Sequence, residues 1–261
     1  MINRDFLLSN ISKIEHLTLN CGCCKTGVKV FDKTKYFEAQ SDFSNSEFTN
    51  DVDGFQTKIH RRFSAGFICS NPDCSDISIL IGDINSVLKF EKINYQGQVI
   101  QAPVYIDKIF IHGIIPTLDL LETEVYLFKN EASNITNALK DVFSVFWRNT
   151  DCCGMKIRAL LEVLMDDNVI EKNYIDKNSL EKNYNLHQRI EFFEKKYPNE
   201  DLKSILHNLK DSGNIGSHSG EILTREKLVI MLEIVECILN QLYIDNRQKL
   251  EKLNNELKKN D

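Results

Sequence analysis

The sequence contains no apolar run approaching the roughly twenty residues that a membrane-spanning helix needs, so no segment is expected to cross a bilayer. It also lacks an excess of positive charge: 32 Lys and Arg stand against 38 Asp and Glu, a net charge of -6. That balance argues against a protein that coats nucleic acid through a broad basic face, and leaves room only for a local basic groove or pocket. There is no glycine-rich phosphate loop, and no pair of histidines at metal-ligating spacing on one helix. The stretch MINRDFLLSNISKIEHLTLN mixes charged and amide residues with its apolar ones and offers no small-residue cleavage site. It does not read as a secretion signal, which sets the expectation of a cytoplasmic chain. Neither an internal repeat nor a low-complexity tract is found.

What is present is a chain of 261 residues, 42% hydrophobic and 27% charged, the balance of a soluble globular protein with enough apolar side chains for a core. Its pattern changes near residue 115. Before that point GVKVF (27–31), AGFIC (65–69), DISILIGD (76–83) and APVYIDKIFIHG (102–113) read as strands, none of them long. Tyr36 to Gly54 is polar and acidic and reads as a loop or weak hairpin. His60–Arg62 is the one compact basic cluster of this half, expected as a solvated strand end rather than an RNA contact.

After Pro116 apolar residues recur at helical intervals. LLETEVYLFKNEASNITNALKDVFSVFWRNT, CCGMKIRALLEVLMDD, LHQRIEFFEKKYP and EDLKSILHNLK are each amphipathic. The last pattern starts at Thr224, a natural N-cap, and places Leu228, Met231, Val235, Ile238 and Leu242 on one face. The expected class is α+β: a small β-rich portion, residues 1–115, then a helical bundle, residues 116–261. Phe143, Phe146, Leu160, Leu164, Ile190, Leu206, Met231 and Val235 are its expected core. Past Asp245 the helix is largely charged, either a solvated extension or a weak pairing seam through Leu250, Leu253 and Leu257.

Eight cysteines without a secretion signal are not expected to form disulfides, because the cytoplasm keeps thiols reduced. LNCGCCKTG supplies Cys21, Cys23 and Cys24, and FICSNPDCSD supplies Cys69 and Cys74. A Cys-x-x-Cys pair followed by a second close pair, each beside a short strand, is the pattern of a zinc ribbon. Two turns each present two thiolates to one tetrahedral ion, and Gly22, Asn71, Pro72 and Asp73 suit such tight bends. Cys21, Cys24, Cys69 and Cys74 are therefore expected to ligate a structural zinc, with Cys23 pointing away because it would crowd the ion. Four thiolates leave no open position for water, which argues against a catalytic zinc. The wider spacing of the second pair keeps another reading open, in which these cysteines are buried small hydrophobes or a ribbon that has lost its metal. A loop-rich portion of this size needs a staple, which favours the metal. Cys152, Cys153 and Cys237 fall on helical patterns and are expected to be buried.

The stretch DSGNIGSHSGE, Asp211 to Glu221, interrupts the helical rhythm. Gly213 and Gly216 lower helix propensity, so Gly213 to Gly220 is expected as a break ahead of the last and longest helix. His218 in such a break serves either as a structural residue or as a catalyst.

Three stretches carry a resemblance: IPTLDLLETEVYLFKNEA with Glu131-Ala132, CGMKIRALLEVLMDD with Arg158 and Glu162, and the run Gly213, Asn214, His218 before the final helix. In their order and spacing, over residues 115–245 and with the cysteine pairs in front, they resemble the bacterial family catalogued as domain of unknown function 4145. That family is similar to the HEPN group of helical bundles, many of which dimerise and cut RNA in prokaryotic defence and toxin systems. The resemblance implies a HEPN-like bundle, a homodimer through it, and a partner that is RNA or a protein encoded in the same operon. It also brings His218, Asn214, Arg158 and Glu162 into one polar cluster inside the bundle. Cleavage of RNA without a metal needs an acid or base near the 2′-hydroxyl and a fixed cation at the phosphate. His218 supplies the first, but Asp211, Ser212 or Gly213 stands where the group has its Arg. Two functions follow: a non-catalytic, zinc-containing interaction or sensing module of a defence or toxin-type system, or a metal-independent endoribonuclease using His218.

Overall fold

The structure, a computed structural model, describes residues 4–9, 11, 13–24, 26–40, 59–95, 98–121, 134–198, 200–218 and 222–244. The chain divides into two compact units, one spanning Asn3–Asp119 and the other Leu120–Asp261 together with the first two residues. Both classes of element are present, so the protein is α+β.

The first unit is a curled, five-stranded antiparallel sheet. After a short helix α1 (Arg4–Leu7) and a 3-10 turn (Ile14–His16) come β1 (Thr18–Asn20), β2 (Val28–Gln40), β3 (His60–Cys69), β4 (Ile77–Tyr95) and β5 (Gln98–Ile115). Each strand pairs with the next, in the order β1-β2-β3-β4-β5. Alternation decides which face is covered. Phe63, Ala65, Phe67 and Cys69 of β3 are buried, as are Leu80 and Ile84 of β4 and Ile109 and Ile111 of β5. Register puts them on one face, with Ala65 opposite Leu80 and Ile84 opposite Ile109. Ile77, Ile79 and Ile81 alternate to the other face and stay exposed.

The four stretches read as strands lie in this sheet, but the expectation that none is long is wrong: β4 has 19 residues and β5 has 18. Beyond Ser86 the two pair only with each other, out to Tyr95 and Gln98. In that ribbon most side chains are exposed, so no alternation marks the strands and backbone pairing alone extends them. Of the stretch Tyr36–Gly54, Tyr36 to Gln40 belongs to β2, and the rest lies outside the described residues.

The second unit is helical, with α2 (Asn134–Phe146), α3 (Thr150–Asp167), α4 (Leu186–Lys196), α5 (Glu200–His218) and α6 (Arg225–Leu239), and a small hairpin of β6 (Asn173–Ile175) and β7 (Glu181–Asn183) between α3 and α4. Local chemistry starts these helices where they start. The Asn149 side chain accepts from Cys152 N, Asn185 and Gln188 form a reciprocal capping box, and Thr224 accepts from Lys227 N. All eight residues expected in the core are buried. The region expected to open the bundle, residues 122–133, lies outside the described residues, as do the Glu131-Ala132 signature and the extension past Asp245.

The expected break at Gly213 does not occur. Helix α5 runs unbroken to His218 over 19 residues, and α6 continues directly from Leu239 into a five-residue π-helical turn, Asn240–Ile244. The glycine serves packing instead. A Cβ on Gly213 would lie 2.8 Å from the Gly154 carbonyl oxygen and 3.1 Å from Arg158 Cβ, so α3 and α5 cross where neither backbone carries a side chain. Close approach at that crossing outweighs the propensity lost by placing glycine inside a helix. Gly213→Ala tests this balance. Alanine regains about 1 kcal/mol of helix propensity, but overpacking costs about 1–3 kcal/mol, and a backbone oxygen cannot rotate away. Denaturant unfolding is expected to show a net loss of stability; a gain would refute the tight crossing.

Candidate metal centre

Because β2 begins beside the end of β3, with Lys29 opposite Cys69, the β1–β2 and β3–β4 loops emerge at the same end of the sheet. In the first loop Cys21 N donates to Gly27 O at 3.0 Å, and Gly27 N donates to Cys24 Sγ at 3.2 Å. In the second, Cys69 N donates to Asp76 O, and Cys74 N and Ser75 N both donate to Asn71 O. Ser75 takes a left-handed φ of 48° to complete that turn. Ser70 N donates to Val28 O and ties the loops together.

The result is convergence of four sulfurs. Cys21 and Cys74 Sγ are 3.7 Å apart, as are those of Cys24 and Cys69, and all four lie within 4.8 Å of one another. Cys21 and Cys69 are buried, Cys24 and Cys74 half-buried, while Cys23 is exposed and outside the set. The packing is tight: a Cβ on Gly27 would fall 2.3 Å from Cys69 Sγ and 3.1 Å from Cys24 Sγ, whereas one on Gly22 would meet nothing within 4 Å.

Electrostatics set the sulfurs apart. Hydrogen bonds from Thr26 and Gly27 lower the Cys24 thiol to about 5. At Cys74 the Asp76 backbone favours the thiolate, but burial and the adjoining sulfurs prevail and push the thiol up to about 12. Burial likewise raises Cys69. Neighbouring sulfurs resist joint ionisation unless a cation compensates them. Donor type, number and convergence all fit a metal ion.

Beside the centre lies an ion pair that the sequence pattern did not reveal. Lys29 is 1% exposed, and its Nζ donates to Asp76 and to Ser78 Oγ at 2.6 Å each. The pair holds the Asp76 carboxyl below its ordinary range. Alternation in GVKVF points Val28 and Val30 inward and Lys29 outward, whereas the strand buries Lys29 and leaves the two valines exposed.

In the helical unit Arg158 and Glu162 pair at 3.8 Å within α3, with side chains 40% and 49% exposed. They are therefore not inside the bundle as expected, because their helical turn faces partly outward. Asn214 is half-buried on α5, and the side chain of His218 lies outside the described residues, as does its expected approach to Arg158 or Glu162. Among the described residues the buried arginine is Arg189, 3% exposed, which donates to Asp166 and to the Ile170 carbonyl. Its signal was a position on the apolar face of α4, beside Leu186, Ile190 and Phe193. Of the helical cysteines only Cys153 is buried; Cys152 is half-buried and Cys237 exposed, against expectation. The basic cluster His60–Arg62 meets carboxylates: Arg61 pairs with Glu38 and Asp107, and His60 and Arg62 with Asp83.

Two outcomes follow. Elemental analysis is expected to find metal bound to the protein and to Gly22→Ala, and sharply less on Gly27→Ala; equal metal on both variants would refute the packing argument. Asp76 is held lower in the folded state than in the unfolded chain, so the Lys29 contact stabilises fully above the ordinary carboxylate range. That stabilisation fades as pH falls from about 5 toward 3. Lys29→Met should lower the melting temperature at neutral pH and flatten this acid slope; an unchanged slope would show that the pair is not responsible.

Residues 140–260 match the family model described as Domain of unknown function (DUF4145). No curated protein and no solved structure matches the chain.

Proposed function

We propose that the protein is a non-catalytic interaction or sensing module in which a structural zinc staples the β unit. The observation that carries this is the sulfur geometry. Zinc–thiolate bonds of about 2.3 Å in a tetrahedron put neighbouring sulfurs about 3.8 Å apart, and both close pairs are 3.7 Å apart. Four thiolates complete the coordination shell, so the ion has no position for a substrate or an activated water. The residues available for RNA chemistry point the same way. Arg158 has the Glu162 carboxylate 3.8 Å away and Lys210 that of Asp211 at 3.0 Å, so each cation has an acidic neighbour that competes with a phosphate.

In this proposal the second unit is a HEPN-like bundle that has given up cleavage. It pairs with a second copy and meets a protein or RNA partner encoded beside it, in a prokaryotic defence or toxin-type system. An apolar groove of about 350 Å³, lined by Leu202, Ile205, Ile230, Ile234 and Ile238, supports a role in association. Among the described residues no helix is long and apolar enough to cross a membrane. A metal-free ribonuclease using His218 is the competing activity.

The test uses the purified chain with tRNA and total RNA, with and without a chelator, beside His218→Ala. RNA is expected to stay intact throughout, while chelation lowers the melting temperature and sedimentation finds a dimer. Cleavage that survives chelation and disappears in His218→Ala would overturn the non-catalytic reading, and a monomer at all concentrations would overturn the pairing.

A further inference from the structure

A second set of metal-ligating side chains lies on the antiparallel pair α4 and α5. His187 and Glu191 are one turn apart on α4, and His207 faces them from α5. Their donor atoms all lie within 4.8 Å of one another. Glu191 Oε1 and His207 Nε2 are 2.9 Å apart, and the two imidazole rings have centroids 4.5 Å apart. His187 is exposed, while Glu191 and His207 are half-buried.

We propose that His187, Glu191 and His207 form a second metal site, which takes one divalent transition-metal ion through two imidazoles and a carboxylate. Imidazole donors suit zinc, nickel, cobalt and copper, and the carboxylate adds charge without restricting the choice. Adjacent ligands about 2.1 Å from such an ion lie roughly 3.0–3.4 Å apart, close to the Glu191–His207 separation. Because those two atoms already touch in the protein alone, binding needs only a small opening of the contact.

The surrounding charges permit a cation. Lys203 bonds Glu191 Oε2 at 2.6 Å, leaving Oε1 toward His207, and it also reaches Glu194. Lys210 is 3.5 Å from His187 Nδ1 but is paired with Asp211. Glu191, Glu194 and Asp211 thus outnumber Lys203 and Lys210, three carboxylates to two ammoniums, so the flanking lysines are neutralised and the site keeps excess negative charge. His207 Nδ1 is buried and has no partner among the described residues. The Glu191 carboxylate can only accept, so Nε2 carries the proton in the 2.9 Å contact, and an ion bound there would take that proton's place between the two groups.

Three protein ligands leave coordination positions to water, unlike the closed set of four cysteines. An ion here is exchangeable and can accept a further ligand from solution.

The test is cobalt(II) titration of the full chain, followed by calorimetry and absorbance. Sulfur-to-cobalt charge transfer marks ions at the cysteines, and a nitrogen–oxygen site gives none. The wild type is expected to take one equivalent without charge transfer, and His187→Gln and His207→Gln to lose that equivalent while keeping the thiolate signal. Because His187 is exposed, its variant decides the matter even if His207→Gln fails to fold. Absence of that equivalent in the wild type, or its retention in His187→Gln, would overturn the site.

Discussion

Four sulfur atoms within 4.8 Å of one another form an arrangement that an ordinary apolar core does not need. Their thiols resist joint ionisation, yet two loops are shaped to keep them together. The geometry of the whole front end follows from holding them. The pairing of Lys29 with Cys69 brings both loops to one end of the sheet. Gly27 must be glycine because a Cβ would occupy the space of Cys69 Sγ. The Asn71 carbonyl collects two amides to turn the second loop, and N–H donors around Cys24 favour its thiolate. None of these features is needed by the strands themselves, which could be joined by shorter turns. Such a cluster gains stability as soon as a cation replaces protons, which makes ion binding and folding of these loops one process.

The cysteine cluster was legible because ligands of this kind are marked by residue type and local spacing. Cys21 and Cys24 declare a turn by themselves, and Cys69 and Cys74 declare another. What could not be read was the support. Lys29 is an isolated basic residue in a strand, and its partner Asp76 is 47 residues away. Charge buried by a distant partner leaves no periodic trace. The ribbon from Ser86 to Asp107 was missed in part for the converse reason: with little of it buried, neither face imposed a pattern.

The helices show where propensity misleads. Amphipathic spacing placed the eight core residues correctly, and Thr224 caps its helix as its chemistry implies. Gly213 and Gly216, however, predict a break where the helix continues. Glycine weakens a helix in isolation by about 1 kcal/mol, and that cost is small against what the crossing of α3 and α5 gains by close approach. Local sequence carries the cost but not the partner, Gly154, that justifies it. The same limit applies to Arg158 and Arg189. Each lies on an amphipathic helix, and only packing distinguishes the exposed arginine from the buried one.

The contrast between the two candidate ion sites bears on what this chain can do. At the cysteines every ligand comes from the protein and two are buried, so an ion there cannot gain a substrate without losing a ligand. An ion held that way would act on structure alone. At α4 and α5 three ligands meet near the surface, and the flanking lysines already have carboxylate partners. An ion there would join two helices while keeping positions open to solution. The first site suits permanence and the second suits exchange. The difference lies in the ligand count: four protein donors close the shell of an ion, whereas three leave it able to exchange with solution.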